Sequence, residues 1–494
     1  MLSRHGAITL AWLGINLLRV NAAIDNVLDL QSLLQSVKWS ARTAISYPAT
    51  ANFTQATERW TYLDSPTYLA AVSPATEADI KQLLQLATSN NIPFLVSGGR
   101  HGFTSTLGQL QAGLAIDLSR MNDVTVNKSA GTMTVGGGTR LRDIYDPVYE
   151  AGYELPIGTC SCPGIVGVTL GAGIGPWAGV HGFIIDTLLA MVVLTANGTV
   201  VHAAKHSHSD LFWALRGAGA NFGVVLSATY QLQPQINNGK LLVAELVIPA
   251  EKAATYFDLL KSYESTQPPA LSLSSFINFN STTNQTQVAA NWAYIGPEDE
   301  GLEAFQPVLS LDPIVRNIQT YQWNNVIRTV SGGIDDFLCT DNLTRITNGA
   351  NARVISPSTY MDVFQKTATF FANYPAARYS EIELVMYPTQ AAAAVPDNDT
   401  AYPWRDARMS AQMFLEDSEV GNSSLLQAVK DFAKEVRSDI AETSGYPDLA
   451  VYVNNAAGDE TEEQIYRADK LPRLLALKKA WDPDNIFRFY NPLM

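Results

Sequence analysis

A histidine set among glycines is the part of this sequence that most directly suggests chemistry. The apolar run Pro93–Val96 is typical of a short buried strand, and it leads into Ser97-Gly98-Gly99-Arg100-His101-Gly102. Glycines at a strand end allow positive φ and leave room for a ligand against bare backbone. Consecutive backbone N–H groups in a tight turn form an anion-binding nest, so the stretch predicts a site for a phosphorylated cofactor. An ordinary turn with a solvated histidine is the alternative.

A second group of glycines, between residues 158 and 175, includes two of the three cysteines. Cys160 and Cys162 begin this segment, and six glycines follow or flank them. A packed helix or strand would not select so many glycines, because each one loses much conformational entropy on folding. The residues between them are apolar, so a backbone that wraps a ligand explains the pattern better than a flexible linker. The segment continues into Pro176-Trp177 and not into a helix, which argues against a Rossmann fingerprint.

Other reactive side chains give weaker signals. The histidines at 181, 202, 206 and 208 lack the paired spacing of metal ligands on a helix, so no metal site is expected. The sequence has no Gly-x-Ser-x-Gly elbow and no Walker loop. The third cysteine is Cys339, and an odd number of cysteines in an oxidising compartment leaves one thiol free or bonded elsewhere.

Composition indicates a globular protein of two or three domains. The 494 residues are 47% hydrophobic and 16% charged, with a formal net charge of −14. A chain of this length exceeds a single core. The acidic balance argues against a nucleic-acid partner, whose phosphates would be repelled.

The N-terminus has the layout of a secretory signal peptide at residues 1–23. A short basic start precedes the apolar segment Ala7–Leu18 and the small-residue site Val20-Asn21-Ala22-Ala23. A retained signal anchor is the alternative; no later stretch is apolar enough to cross a membrane. We expect a secreted, N-glycosylated protein, because N-x-S/T sequons recur along the chain. The sequons are at Asn52, Asn127, Asn197, Asn280, Asn284, Asn342, Asn398 and Asn422.

Hydrophobic periodicity predicts an α+β first domain over residues 24–235. A helix opened by Thr76 leads into the strand before Ser97, and an Asn-Gly hairpin and a helix capped by Asp210 follow. Residues 47–62 are predicted to be extended, and Thr139 is predicted to cap a helix over residues 141–151.

Strands and amphipathic helices alternate over residues 236–449, which predicts an antiparallel sheet with helices on one face. One of these strands is expected at Ala352–Ile355. The C-terminal segment, residues 450–494, is expected to hold one helix over Thr461–Ala480 and to return to the first domain.

Five blocks in order resemble the berberine-bridge-enzyme-like FAD-linked oxidoreductases, which are of the vanillyl-alcohol-oxidase type with a PCMH-type FAD-binding domain. The blocks are Gly98–His101, Gly158–Cys160, Leu170–Gly175 with His181-Gly182 and Asp186, Asp210–Gly223, and Asn485–Pro492. The resemblance implies a two-part FAD-binding domain and a substrate domain with an antiparallel sheet covered by helices. It also implies that His101 carries the flavin through its 8α-methyl carbon.

The resemblance assigns a second covalent bond, to C6 of the flavin, to Cys160. Cys162 and Cys339 would then be free to pair; a Cys160–Cys339 disulfide, leaving only His101 attached, is the alternative. The cofactor-binding residues that the resemblance implies are Ser97, Gly98, Gly99, Arg100, His101, Gly102, Gly158, Cys160, Gly167, Thr169, Gly171, Gly173, Gly175, His181, Gly223, Val224 and Asn491.

Two positions depart from the family pattern. Arg100 stands where a small residue is usual, and it could pair with the pyrophosphate or distort the loop. Tyr452-Val453-Asn454 matches the segment that carries the family's tyrosine base, so Tyr452 and Asn454 are candidate catalytic residues. Asn455 replaces a frequent second tyrosine there, which puts the family's proton relay in doubt, and packing is the alternative role for Tyr452.

The resemblance implies a secreted oxidase that transfers a hydride from a small molecule to FAD and reduces O2 to H2O2. The expected substrate is an alcohol, amine or phenolic intermediate of secondary metabolism. An oligosaccharide oxidase is the runner-up, with Trp292, Trp323 and Trp404 as candidates for an aromatic groove or, alternatively, for the core. A flavin-bound cyclase or binding protein is the third hypothesis. No nucleic acid is expected as a partner, and no membrane after signal cleavage.

Overall fold

The computed structural model describes residues 29–341, 343–416 and 423–494. The predicted signal peptide at 1–23 and the sequons at Asn342 and Asn422 lie outside these ranges. Within them, no helix is both long and apolar enough to cross a membrane.

A four-stranded sheet forms the first part of the N-terminal domain. Its strands lie in the order β1-β2-β4-β3, with β2, β3 and β4 parallel. They are β1 (Ala44–Ser46), β2 (Tyr68–Ser73), β3 (Phe94–Ser97) and β4 (Gly113–Asp117), and the helices are α1 (29–35), α2 (Ala51–Thr57) and α3 (Glu77–Ser89).

Helix α3 begins where the sequence predicts, because the Thr76 side chain accepts a hydrogen bond from the Asp79 backbone N–H. The prediction of extended chain over 47–62 was wrong, since Thr50 caps α2 in the middle of that stretch.

An antiparallel five-stranded sheet, in the order β5-β6-β10-β8-β9, forms the second part. Its strands and two short neighbours are β5 (Val124–Asn127), β6 (Thr132–Gly136), β7 (Tyr153–Glu154), β8 (Leu188–Leu194), β9 (Val200–Ala204), β10 (Val224–Gln231) and β11 (Gln233–Pro234). Its helices are α4 (Leu141–Glu150), α5 (Ile165–Gly171), α6 (Ala178–His181), α7 (Ile184–Thr187) and α8 (Ser209–Ala218). Arg140 occupies the N-cap of α4 and His208 that of α8, so Thr139 and Asp210 do not cap these helices as predicted.

The second domain is built on one antiparallel sheet of seven strands in the order β15-β12-β14-β13-β17-β18-β16. The strands are β12 (Lys240–Ile248), β13 (Leu271–Asn280), β14 (Gln285–Tyr294), β15 (Val315–Gln322), β16 (Arg345–Ala352), β17 (Glu381–Met386) and β18 (Met409–Glu416). The helices are α9 (Ala253–Ser262), α10 (Glu298–Leu309), α11 (Val326–Thr329), α12 (Asp335–Leu338), α13 (Pro357–Asn373), α14 (Gln390–Ala394) and α15 (Ser423–Thr443). The predicted strand at Ala352–Ile355 was wrong, because β16 ends at Ala352.

Side-chain alternation gives the seven-stranded sheet two different faces. On β17, Ile382 and Leu384 join the core formed with α9, α10, α13 and α15. Glu381 and Glu383 point the other way, toward the first domain. This two-residue period is that of a strand with one face buried against helices. The prediction of an α+β fold with a helix-covered antiparallel sheet is confirmed.

The C-terminal segment packs back on the first domain. Two helices, α16 (Glu462–Tyr466) and α17 (Leu471–Trp481), replace the single predicted helix, because the chain turns at Arg467 with φ of 65°. The buried Lys478 ammonium donates to the backbone oxygens of Asn221 and Phe487 and to Asp482, which fixes α17 beside the end of α8.

Candidate active site

One cavity of about 620 Å³ lies between the two domains. Its volume is in the range of small-molecule and cofactor sites. One end, here called the loop end, is lined by the loops around His101, Cys160 and Gly223. The other, here called the sheet end, is lined by β12, β13, β14, β17 and β18 of the second domain. The cavity therefore connects the predicted cofactor loops with the face of the large sheet.

Backbone packing explains two glycines of the first motif. A Cβ at Gly99 would lie 2.2 Å from the Gly164 nitrogen, and one at Gly98 would lie 2.8 Å from the Gly137 oxygen. The two loops thus meet backbone against backbone at the cavity wall. Gly167 is different, because a Cβ there would meet no protein atom within 4 Å and the residue lines the cavity. Its bare backbone leaves space open for a ligand.

Arg100 is held by protein groups. Its Nη1 donates to the Asp117 carboxylate at 2.6 Å, and its Nε donates to the Glu58 backbone oxygen at 2.9 Å. Asp117 also accepts hydrogen bonds from Ser73 and Ser119. These contacts stabilise the left-handed backbone of Arg100, whose φ is 58°. The guanidinium therefore anchors the loop to the first sheet.

His101 and Cys160 come together although 59 positions separate them. The Cys160 Sγ lies 3.8 Å from the His101 Nε2, and both residues line the cavity. Burial, followed by repulsion from nearby arginines, lowers the pKa of His101 to about 3. Burial raises the pKa of the Cys160 thiol to about 12. A neutral imidazole and a thiol thus face the same space.

The disulfide joins Cys162 to Cys339, and Cys160 is the free cysteine. The pairing that the resemblance implied is confirmed, and the alternative of a Cys160–Cys339 disulfide was wrong. The bond ties the Cys160 loop to α12 of the second domain, where the Asp335 carboxylate also accepts from the Ser161 backbone N–H at 2.9 Å.

The predicted site residues fall into two groups. The cavity is lined by Ser97, Gly98, Gly99, Arg100, His101, Gly102, Gly158, Cys160, Gly167, Gly171, Gly223, Val224, Tyr452 and Asn454. It is not lined by Thr169, Gly173, Gly175, His181 or Asn491.

Residues of the second group have protein partners instead. Thr169 donates to the Ile165 oxygen, and the His181 Nε2 lies 2.5 Å from a Glu154 carboxylate oxygen. A Cβ at Gly175 would lie 1.8 Å from the Ile157 oxygen, and one at Gly173 would meet Ile184. The Asn491 amide donates to the Val453 oxygen and links the C-terminus to the site. These residues position the cavity wall and do not face the cavity.

Two hydrogen-bond donors hold the hydroxyl group of Tyr452. Its hydroxyl oxygen accepts from the Gly173 backbone N–H at 3.0 Å and from the Asn454 Nδ2 at 2.7 Å. Asn454 Nδ2 also donates to the Val168 oxygen. Burial raises the pKa of Tyr452 above its usual value, despite these hydrogen bonds to its oxygen. Tyr452 therefore presents a protonated hydroxyl at the cavity wall.

The carboxyl groups of Glu381 and Glu383 line the sheet end, and the sequence analysis did not predict them as site residues. Burial raises the pKa of Glu383 to about 8, with a further increase from Glu381. Burial also raises the pKa of Glu381 to about 7. The alternation Glu381-Ile382-Glu383-Leu384 in a buried strand was the available signal, since glutamate is rare inside a protein unless it is paired or functional.

The three tryptophans considered for an aromatic groove belong to the core. Trp292, Trp323 and Trp404 are 0%, 1% and 6% exposed, and none of them lines the cavity. The aromatic residues of the described chain that do line it include Trp60, Trp177, Phe276 and Phe414.

Comparison with known sequences shows the family. A model of the FAD binding domain matches residues 68–204, and a berberine and berberine like model matches residues 451–493. The FAD-linked oxidoreductase fogF of Aspergillus ruber is 42% identical over 469 residues, which cover 94% of each chain. The chain belongs to the berberine-like FAD-linked oxidoreductases.

A second relative supports this family, and solved structures support the fold. The FAD-linked oxidoreductase OXR1 of Pyricularia oryzae is 42% identical over 92% of this chain and 89% of its own. Among solved structures, a xylooligosaccharide oxidase from Myceliophthora thermophila in complex with xylobiose superposes with a TM-score of 0.77 at 24% identity, covering 92% of this chain and 97% of that one.

The glucooligosaccharide oxidase of Acremonium strictum, whose FAD is 6-S-cysteinyl, 8α-N1-histidyl, superposes with a TM-score of 0.80. It is 22% identical and covers 90% of this chain and 96% of that one. At this identity the likeness shows the fold.

The cavity fits the cofactor of the family. Gly158 and Gly167 leave space at the wall where a Cβ would meet no protein atom closer than 3.7 Å. Trp177 and Asn455 line the cavity, and the indole N–H of the first and the Nδ2 of the second are buried without a hydrogen-bond partner in the described chain. Unpaired buried donors are costly, and a bound molecule with acceptor atoms would satisfy them.

Proposed function

We propose that this protein is an oxidase that removes a hydride from an activated carbon of an alcohol, an amine or an alkyl-substituted phenol and transfers the electrons to O2. The observation that carries the proposal is the single cavity that has His101 and Cys160 at the loop end and Glu383 at the sheet end. Oxidation of an alcohol or amine needs an electron acceptor on one side of the substrate and a proton acceptor within reach.

His101 and Cys160 would hold FAD covalently at the loop end. A neutral imidazole nitrogen and a sulfur 3.8 Å apart suit two bonds to one ring system, at its 8α-methyl carbon and at C6. The doubly linked FAD of the Acremonium strictum oxidase supports this assignment. When bound, FAD supplies the two-electron acceptor and the reaction with O2 that gives H2O2.

Glu383 is the general base in this proposal. It lies on the cavity face of β17, and its carboxyl, with a pKa of about 8, has the high proton affinity that a base needs near neutral pH. Tyr452 holds its proton more tightly and its oxygen already accepts two hydrogen bonds. We therefore assign to Tyr452 a hydrogen bond to the substrate oxygen or nitrogen, and to Glu383 the removal of its proton.

The sheet end favours a small, largely apolar substrate that is neutral or cationic. Among the described residues of this end, the charged groups are the carboxyls of Glu381 and Glu383, and the walls include Phe276, Phe414 and Val326. An anionic substrate would meet these carboxyls without a compensating cation. An alcohol, amine or phenolic intermediate of secondary metabolism satisfies these conditions, and the buried positions of Trp292 and Trp323 weigh against an oligosaccharide.

The protein is also proposed to be secreted and N-glycosylated. Among the described sequons, Asn52, Asn127, Asn197, Asn284 and Asn398 are exposed. Treatment of the secreted protein with an endoglycosidase should increase its gel mobility. Unchanged mobility and retention inside the cell would contradict this part of the proposal.

A substrate panel tests the proposed reaction. Purified protein is mixed with benzylic alcohols, benzylic amines, phenols and cello- or xylo-oligosaccharides, and O2 consumption is measured together with H2O2. We expect turnover of one of the first three classes and loss of turnover in Glu383→Gln. Turnover of oligosaccharides alone, or flavin reduction without O2 consumption, would contradict the proposal.

A further inference from the structure

A stack of three side chains crosses the boundary between the two domains beside the cavity. The Trp60 indole lies on the His101 imidazole, with ring centroids 4.7 Å apart and an interplanar angle of 24°. On the other side, the guanidinium carbon of Arg345 lies 4.5 Å from the Trp60 ring centroid. His101 belongs to the loop of the first domain, whereas Arg345 begins β16 of the second.

Each member of the stack is fixed by further contacts. The Trp60 indole N–H donates to the Leu338 oxygen at 2.7 Å. The Arg345 Nε donates to Glu416 at 2.9 Å, and its Nη atoms donate to the Thr340 and Phe337 oxygens. Trp60 is 2% exposed, and the Arg345 side chain is also 2% exposed. Neither side chain can change its position without losing these bonds.

We propose that Trp60 and Arg345 are positioning residues for covalent flavin attachment, which hold the His101 ring in one orientation and keep it unprotonated. This inference rests on the proposed attachment of FAD to His101. A stacked indole fixes the plane of the imidazole, and so the direction of its nitrogen lone pair. A guanidinium behind the indole disfavours a second positive charge on His101.

Attachment consumes a neutral imidazole. One C–H bond of the 8α-methyl group and the imidazole N–H bond break, and one C–N bond forms. The two hydrogens with their two electrons pass to O2, which becomes H2O2. Protonated His101 has no free lone pair for this bond, so any group that disfavours the imidazolium speeds attachment.

The charged groups that face His101 are Arg59, Arg140 and Arg345, and the nearby Cys160 is a protonated thiol. After burial, the charge of Arg345 is the strongest of the influences that lower the pKa of His101. Removing its charge is therefore expected to raise this pKa and to reduce the neutral fraction of His101 at acidic pH.

The rate of covalent attachment tests the proposal. Full-length protein is expressed under riboflavin limitation, incubated with FAD from pH 4 to pH 8, and acid-precipitated; the flavin retained by the precipitate is measured over time. We expect Arg345→Gln to attach flavin about tenfold more slowly, since a desolvated cation–π contact is worth about that factor. Its rate should also begin to fall at a higher pH than the wild-type rate does, because loss of the charge raises the pKa of His101 from about 3 toward the lower end of this range. Trp60→Ala should behave similarly, and Trp60→Phe should recover most of the rate.

Arg316→Gln, at an exposed arginine on β15, is the matched control and should leave rate and pH profile unchanged. Equal rates and equal pH profiles for wild type and Arg345→Gln would overturn the positioning role while leaving the proposed function intact. A wild-type protein without covalent flavin would overturn both. If Arg345→Gln does not fold, Arg345→Met, which also removes the positive charge, decides: slower attachment with unchanged binding of non-covalent FAD supports the proposal, and an unchanged rate overturns it.

Discussion

The loop end and the sheet end of the cavity are built in different ways. At the loop end, bare backbone makes the wall: Gly98 and Gly99 lie against Gly137 and Gly164. At the sheet end, alternate side chains of a regular sheet make the wall, and β17 contributes Glu381 and Glu383. Backbone packing tolerates few substitutions, because each added Cβ meets a fixed atom. Side chains on one face of a strand can be substituted while those on the opposite face continue to pack in the core.

In the proposed function, this difference separates the cofactor site from the substrate site. Side chains at the sheet end can be altered for another substrate at little cost in folding, whereas the backbone contacts at the loop end cannot. Both the disulfide Cys162–Cys339 and the Arg345–Trp60–His101 stack connect the loop end to the second domain. The geometry between cofactor and substrate thus depends on contacts that belong to neither end alone.

Removal of the proposed base should have the largest effect and be confined to the sheet end. Glu383→Gln should reduce kcat/KM by about 10²- to 10⁴-fold, the usual contribution of general base catalysis. The flavin absorption spectrum and covalent flavin content should stay unchanged. Glu303→Gln, at an exposed position on α10, is the control. An equal loss of flavin and activity in Glu383→Gln would show that the two ends are not separable.

Loss of the disulfide should affect both ends together. Cys339→Ser should lower the free energy of unfolding by about 2–5 kcal/mol, because the bond joins residues 177 positions apart in sequence. Thermal unfolding monitored by circular dichroism measures this. Asp336→Asn, at an exposed position of the same helix α12, is the control and should unfold close to the wild-type temperature. Identical unfolding of both variants would contradict the structural role of the bond.

Two glycines of the loop end should differ in their tolerance of alanine. Gly99→Ala should destabilise the fold by about 1–3 kcal/mol, the usual cost of overpacking, because its Cβ would lie 2.2 Å from a backbone nitrogen. Gly167→Ala should not destabilise it, since its Cβ meets no protein atom within 4 Å. Chemical denaturation of the two variants makes the comparison. Equal destabilisation would show that backbone packing does not define the loop end.

The pH dependence of stability tests the burial of the carboxyl at the sheet end. The folded-state pKa of Glu383 is raised to about 8 from an ordinary value of 4.5. The folded chain therefore binds more protons than the unfolded chain between these values, so this group makes stability fall as pH rises from about 4.5 to 8. The melting temperature of wild type should decrease by about 4 °C more than that of Glu383→Gln over this range. Parallel curves would contradict the burial of the carboxyl.

The sequence predicted the loop end better than the sheet end for a physical reason. Close backbone contacts require glycine, and glycine is visible in a sequence; the segment around His101 and the one around Cys160 were found in this way. Glu383 lies in an ordinary strand, and its surroundings come from β13, β14 and β18, which are distant in the chain. Arg100 was predicted to pair with the pyrophosphate, because the sequence alone does not show that Asp117 lies beside it.

The wrong predictions of secondary structure and of side-chain position also have physical causes. The short helix α2 lies where extended chain was predicted, because one cap at Thr50 outweighed the local pattern. The His181 side chain lies beside Glu154, 27 residues earlier in sequence, and not on the cavity wall. The cap at Thr76 could be predicted, whereas partners distant in sequence, such as Glu154 beside His181, could not.

Peptide mapping of the flavin shows whether His101 and Cys160 both carry it. The purified protein is denatured in acid and digested, and the flavin-bearing peptides are identified by mass spectrometry. We expect flavin on peptides that contain His101 and Cys160, with Cys162 and Cys339 recovered as a disulfide-linked pair. Flavin released completely by acid, or a Cys160 recovered in a disulfide, would contradict it.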